Sequence, residues 1–172
     1  LGIVVDPDVD RLAFVCEDGS MFGEEYTLVA VADHVLKKEK GNTVSNLSST
    51  RALRDVTESH GCKYNASAVG EVNVVELMKE TNAIVGGEGN GGIIFPELHY
   101  GRDALIGIAL FLTHFANENK KMSELKNSYP NYTISKNKIQ LTTDIDTDKI
   151  LKTLAFKYKD HPQIDVDGLK IE

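Results

Sequence analysis

Three aspartates at alternate positions, Asp6, Asp8 and Asp10, stand in the segment Asp6-Pro7-Asp8-Val9-Asp10-Arg11, just past the apolar run Leu1 to Val5. Carboxylates spaced this way on a turn can point to one place, and hard divalent cations need convergent oxygen ligands. Without a cation between them, such a group repels itself. Pro7 stiffens the turn, and Arg11 adds a fixed cation suited to phosphate oxygens. The pattern predicts a metal site with Mg²⁺ as its ion. Three rival readings stay open. One is a solvated acidic turn. Another is a calcium loop of the EF-hand kind, in which Glu17 falls twelfth from Asp6, although Arg11 stands where that loop needs glycine and a helix should lead into it. The third is a phosphatase in which Asp6 attacks phosphate and Asp8 acts as acid, with Asp10 at that signature's Thr/Val position.

A second constellation is Gly86-Gly87-Glu88-Gly89-Asn90-Gly91-Gly92, set between two apolar runs. Its glycines let backbone approach a ligand closely and adopt positive φ. A dinucleotide site is disfavoured, because its glycine motif opens onto a helix, whereas Ile93-Ile94-Phe95-Pro96 reads as strand. Glu88 offers acceptors only and Asn90 both donors and acceptors, a pairing suited to neighbouring sugar hydroxyls. A flexible turn with no ligand is the competing reading.

These loops need elements to hold them. Leu1 to Val5 reads as a buried strand and Leu12 to Val15 as another, stopped at Asp18-Gly19. Apolar residues at helical spacing predict a helix over Glu24 to Lys38, with Gly41 as a left-handed cap. Strands at Thr43–Leu47, Lys63–Ala66, Ala83–Val85 and Ile93–Phe95 then alternate with helices at Thr50–His60 and Asn73–Glu80. The longest helix runs from Arg102 to Asn117. Met122 to Ser128 adds a short one. Alternation of this kind predicts a layered α/β domain with a mixed, mainly parallel sheet flanked by helices, plus partial flanking domains. Beyond Pro130 and the strand-like Tyr132 to Ile134 the chain leaves this domain. The segment Ile139 to Ile145, a helix from Asp146 to Tyr158 and the fragment Asp167 to Ile171 follow, as the start of a smaller domain.

Several residues read as structural. Ser49 or Thr50 is expected to cap a helix, and Asp103 to serve the N-terminus of the longest one. Arg102, opening the longest helix, has a phosphate contact as its alternative but is expected in solvent, and His99 has a substrate contact as its alternative but is expected at the surface or in packing. His34, His60, His114 and His161 show no usable partner spacing. Cys16 and Cys62 match no metal or redox spacing and read as buried free thiols of a reducing cytoplasm. The Asn-x-Ser/Thr triplets at Asn46, Asn65 and Asn131 read as chance matches. A formal net charge of −7 argues against nucleic acid, and no apolar run reaches the roughly 20 residues a membrane span needs.

Taken together, D-x-D-x-D-R and G-G-E-x-x-G, in this order and at this separation, resemble the α-D-phosphohexomutases, whose members act on glucose, mannose or glucosamine phosphates. The resemblance covers nearly the whole chain. It implies residues 1–22 as the end of a metal-binding second domain, 23–134 as the sugar-binding third, and 135–172 as a linker and the start of a phosphate-binding fourth. It also implies Asp6, Asp8 and Asp10 as Mg²⁺ ligands, Arg11 beside a phosphoserine, and Glu88 and Asn90 on sugar hydroxyls. Val69-Gly70 resembles another substrate-facing loop, which makes Gly70 a substrate contact. Val72 stands where many members carry Arg or Lys, Asn90 where Ser is usual, and Gly92 where His is usual. With V-G-E-V-N-V and G-E-G-N-G-G these departures resemble the phosphoglucosamine-mutase branch. The implied reaction moves phosphate between C6 and C1 of a hexose through a phosphoserine. Neither the Thr-x-Ser-His-Asn-Pro segment nor the Arg-x-Ser-Asn/Gly-Thr segment of that family is present. The chain alone is therefore expected to be inactive and to need the rest of its own polypeptide. A non-catalytic sugar- or calcium-binding module is the alternative.

Overall fold

The structure is a computed structural model that describes residues 1–142 and 145–172. It divides into two compact units, Leu1–Tyr132 and Thr133–Glu172.

The larger unit opens with an antiparallel hairpin of β1 (Gly2–Val5) and β2 (Leu12–Val15). Helix α1 (Glu24–Lys38), β3 (Asn42–Asn46), α2 (Ala52–Ser59), β4 (Tyr64–Ser67), α3 (Glu71–Thr81), β5 (Ala83–Gly87) and β6 (Ile93–Ile94) follow. Helices α4 (Ala104–Glu118) and α5 (Met122–Asn127) complete it. The second sheet has the order β4-β3-β5-β6; β3 is parallel to β4 and β5, and only β6 runs antiparallel. This is the expected mixed, mainly parallel α/β layer.

Alternation along the strands sends side chains to two cores. Val44 and Ile94 pack with Val74 and Met78 of α3 on one face. On the other, Val85 and Ile93 join Leu12 and Phe14 of β2, most of the apolar face of α1, and Phe111 of α4. Phe14 stacks on Phe111 with ring centroids 3.9 Å apart, and Phe22 meets Phe111 edge-on. The central strand β3 carries polar side chains inside, and each finds a partner. Thr43 and Thr57 share a 2.7 Å hydrogen bond, and Ser45 and Tyr64 one of 2.9 Å, as burial of hydroxyls demands.

Several expectations need correction. Leu1 to Val5 is not buried: Val4 is 55% exposed, because β1 pairs with β2 alone and no second layer covers it among the described residues. Gly41 is not a left-handed cap. Helix α1 ends on extended Glu39, and a Cβ on Gly41 would meet Ile84 at 2.7 Å, so close packing is what favours glycine there. Helix α3 begins two residues early, on Gly70 with φ 115°. Helix α2 starts after Arg51 rather than at Thr50, though Thr50 Oγ1 accepts from the Ala52 N–H at 3.3 Å. Tyr132 to Ile134 forms no strand, since no strand among the described residues pairs with it. Cys16 is buried, Cys62 only partly, and both are free thiols.

Asp103 does cap α4, accepting from the N–H groups of Leu105 (2.7 Å) and Ile106 (3.1 Å). His99 Nε2 sits 3.1 Å from its other oxygen. Asp103→Ala is expected to cost about 1 kcal/mol, read as a lower urea midpoint, with Asp103→Asn keeping most of it.

The smaller unit holds α6 (Thr147–Lys157) and an antiparallel pair, β7 (Gln163–Ile164) with β8 (Lys170–Ile171). Asp146 caps α6 through the Lys149 N–H at 3.0 Å. The segment Ile139 to Ile145 lies partly outside the described residues, and its described part forms no strand. Among the described residues no helix is long and apolar enough to cross a membrane.

Candidate active site

Parallel strands gather loops beyond their carboxyl ends, where open α/β sheets take their ligands, and this sheet gathers three there. Asn46 ends β3, Gly70 and Glu71 follow β4, and Glu88 to Gly92 follow β5. Arg102 immediately precedes the cap of α4.

The aspartate loop is the β1–β2 turn. Asp6 Oδ1 accepts from the backbone N–H of Asp10 (3.2 Å) and of Arg11 (3.1 Å), and Val9 takes φ 56° to close the turn. The Val9 carbonyl in turn accepts from Ala104 N at 3.0 Å, tying the loop to α4. One carboxylate oxygen from each of Asp6, Asp8 and Asp10 lies within 4.8 Å of the others. Asp10 Oδ1 is buried and has no hydrogen-bond partner among the described residues; Arg11 Nε lies 4.0 Å from it.

Desolvation raises the Asp6 carboxyl, but hydrogen bonds from Arg11 and Asp10 outweigh it and leave the group below its ordinary value. Burial pushes Asp10 up; Arg102 opposes this, and Asp6 and Asp8 add to it. An orphaned buried oxygen within a crowd of carboxylates is what a divalent cation relieves, so the residues fit Mg²⁺. Arg11 Nε lies 3.7 Å from Asp6 and 4.0 Å from Asp10, with its side chain 58% exposed.

Glu17 does not belong to this loop. Its carboxylate accepts from the hydroxyl and N–H of Ser123, and the loop is entered from a strand, so the EF-hand arrangement is absent. Asp6 has one oxygen held by two backbone donors, which fixes the direction of its carboxylate.

In the glycine loop, Glu88 is buried to 7% exposure. Its Oε1 accepts from Asn46 Nδ2 at 2.8 Å and its Oε2 from Arg102 Nη1 at 2.7 Å. Each oxygen has a second lone pair that a ligand hydroxyl can use. Asn90 Oδ1 accepts from Gly92 N at 3.1 Å, which leaves its amide donors for a ligand. A hollow of about 360 Å³ brings Asn90 together with Asp6, Arg11 and Glu24. Gly70 stands outside this hollow; it starts α3 and thereby aims Glu71.

Arg102 overturns the expectation of a solvent-exposed side chain. Only 14% of it is accessible, and it binds Asp10, Glu88 and Glu71. Nη2 donates to Asp10 Oδ2, Nη1 to Glu88, Nε lies 3.4 Å from Glu71 Oε2, and the Arg102 N–H donates to Glu71 Oε1 at 2.9 Å. Asn46, Glu71 and Arg102 are the site residues that spacing alone misses. The one available signal was an arginine directly before a helix cap, a place where the chain turns inward.

Residues 23–132 match the family described as phosphoglucomutase/phosphomannomutase, alpha/beta/alpha domain III. The chain is 34% identical over 172 residues to a phosphoglucomutase/phosphomannomutase of Thermococcus kodakarensis, and the match spans 99% of this chain and 38% of that protein. It is 27% identical to a probable phosphoglucosamine mutase of Methanopyrus kandleri, spanning 100% of this chain and again 38% of the relative. A solved phosphoglucomutase/phosphomannomutase family protein of Burkholderia thailandensis superposes with TM-score 0.80 at 26% identity, over 99% of this chain and 37% of the other. The chain thus spans under two fifths of the curated relatives it matches. The match over 23–132, together with this common fold, shows that the chain belongs to the phosphoglucomutase/phosphomannomutase family of phosphohexomutases.

Proposed function

We propose that this chain supplies the metal-binding and sugar-binding loops of a Mg²⁺-dependent enzyme that moves phosphate between C6 and C1 of a hexose. The supporting observation is the convergence of the aspartate loop and the glycine loop at one edge of the sheet, bridged by Arg102. Asp6, Asp8 and Asp10 would hold the ion, which supplies charge neutralisation to the transferring phosphoryl group. Arg11, half in solvent beside them, would contact the phosphate oxygens. Glu88 and Asn90 would orient sugar hydroxyls, Glu88 as acceptor and Asn90 as donor.

The phosphoserine and the sugar-phosphate loop belong to segments outside this sequence, so the chain by itself is inactive in this reading. Its two free thiols suit the reducing cytoplasm. Glucosamine phosphate is the favoured sugar, on the departures at Val72, Asn90 and Gly92.

The test is a mutase assay on the full-length gene product with a bisphosphate primer, offering glucosamine, glucose and mannose phosphates side by side. Turnover that chelation abolishes and Mg²⁺ restores is expected, with none from the 172-residue chain. A folded, serine-phosphorylated protein that converts none of the sugars would overturn the reading.

A further inference from the structure

We propose that Arg102 is a positioning residue that couples the aspartate loop to the glycine loop, so that a change at Asp10 is felt at Glu88 and Asn46. The inference rests on the reading of the two loops as one ligand site.

The path is continuous. Asp10 Oδ2 accepts from Arg102 Nη2 and Glu88 Oε2 from Nη1. Glu88 Oε1 then accepts from Asn46 Nδ2, and Asn46 Oδ1 accepts from the Ser49 hydroxyl at 2.8 Å and the Ser48 N–H at 3.1 Å. Three segments that are distant in sequence meet through one guanidinium. Its planar fork lets two carboxylates bind different nitrogens at the same time. On the third side Glu71 Oε2 lies 3.4 Å from Nε, an ion pair without a hydrogen bond.

Asp10 divides its two oxygens. Oδ2 is anchored by Arg102, while the buried Oδ1 has no hydrogen-bond partner and lies in the aspartate cluster. Anything that draws charge from Asp10 weakens its hold on Nη2 and strengthens the share of the guanidinium left to Glu88. Such coupling is reciprocal: a ligand hydroxyl on Glu88 alters how firmly Asp10 is held. A lysine presents one nitrogen in place of the two that meet Asp10 and Glu88, so the fixed planar geometry that links the two bonds is lost.

The experiment is ¹⁵N NMR on the purified chain, reading the Asn46 side-chain amide. In metal-free protein, Asp10→Asn is expected to shift that amide, and to leave it unmoved in the Arg102→Met or Arg102→Lys background. Mg²⁺ alone is then titrated into each protein. In the wild type the amides of Asp10 and Arg11 and the Asn46 side chain should respond together; in both Arg102 variants the Asn46 response should be lost. An Asn46 shift that survives in folded Arg102→Lys or Arg102→Met protein overturns the coupling, whatever the metal does. If the metal-free arm holds and Mg²⁺ moves nothing in the aspartate loop, the coupling stands and the metal reading falls.

Discussion

Alanine at Gly91 is expected to destabilise the larger unit by about 3–4 kcal/mol, whereas alanine at Gly19 costs only about 1–2 kcal/mol. Both glycines have left-handed φ, 81° and 84°, so both substitutions carry the same backbone penalty. They differ in surroundings. A Cβ on Gly91 would collide with the Leu12 carbonyl oxygen, while a Cβ on Gly19 would meet nothing within 4 Å. The Leu12 carbonyl belongs to a paired strand and cannot swing aside as a side-chain end would, so the glycine loop must lift instead. That movement opens the contact between the loop and β2 just where Arg11 leaves the aspartate turn, and it carries Asn90 away from Asp6. Urea unfolding of the two variants, followed by circular dichroism, isolates the packing cost as the difference between them. Equal losses would show that the two loops do not touch as described.

The contrast shows what the sequence could and could not reveal. The aspartates and the Glu88 loop were legible because their residues lie next to one another along the chain and share an unusual composition. The tie between them was not, because Asp10 and Arg102 are 92 positions apart and nothing local distinguishes a buried arginine from an exposed one. Asn46 was hidden for a different reason. A strand reading Asn-Thr-Val-Ser-Asn has the polarity of an edge, yet β3 is the central strand and its hydroxyls are paired inside. The exposed β1 shows the reverse error: an apolar run signals a covered strand only where a second layer is present. The start of α3 was misplaced by two residues, with Gly70 and no oxygen side chain at its cap.

The same blindness to long-range pairing applies to Asp33, and Asp33→Ala is expected to cost about 3 kcal/mol at neutral pH. Read along α1, Asp33 is one acidic residue among several. In the fold its carboxylate accepts from His60 Nε2 at 2.7 Å and the Tyr129 hydroxyl at 3.2 Å, pairs with Lys37 at 3.0 Å and lies 3.4 Å from His114 Nε2. Lys37 continues to Glu118 at 2.6 Å, so α1, α4 and the segments after α2 and α5 are joined at one point. The cation in this cluster is Lys37 itself, which is why the nearby Asp33, His114 and Glu118 need no metal to offset their charge. Removing Asp33 leaves the buried Tyr129 hydroxyl with His114 Nε2 alone, at 2.7 Å, and Lys37 with Glu118 alone, and the partial exposure of Lys37 keeps the loss at the low end for a broken ion pair. The sign of the pH dependence follows. Burial holds His114 neutral, lowering its pKa from 6.5 to about 4, and burial lowers His34 as well. Below pH 6.5 the unfolded chain takes up protons that the folded one refuses, so stability falls as pH drops from 6.5 towards 4. Lower still, Glu118, held down to about 2 by Lys37, and Asp33, where bonds from His60 and Lys37 outweigh desolvation, lose their contribution as they protonate. Thermal melts between pH 7.5 and 4 should therefore show a steady decline, made shallower by His114→Gln between 6.5 and 4. A melting temperature that stays level down to pH 4.5 would show that His114 is not held neutral by this cluster.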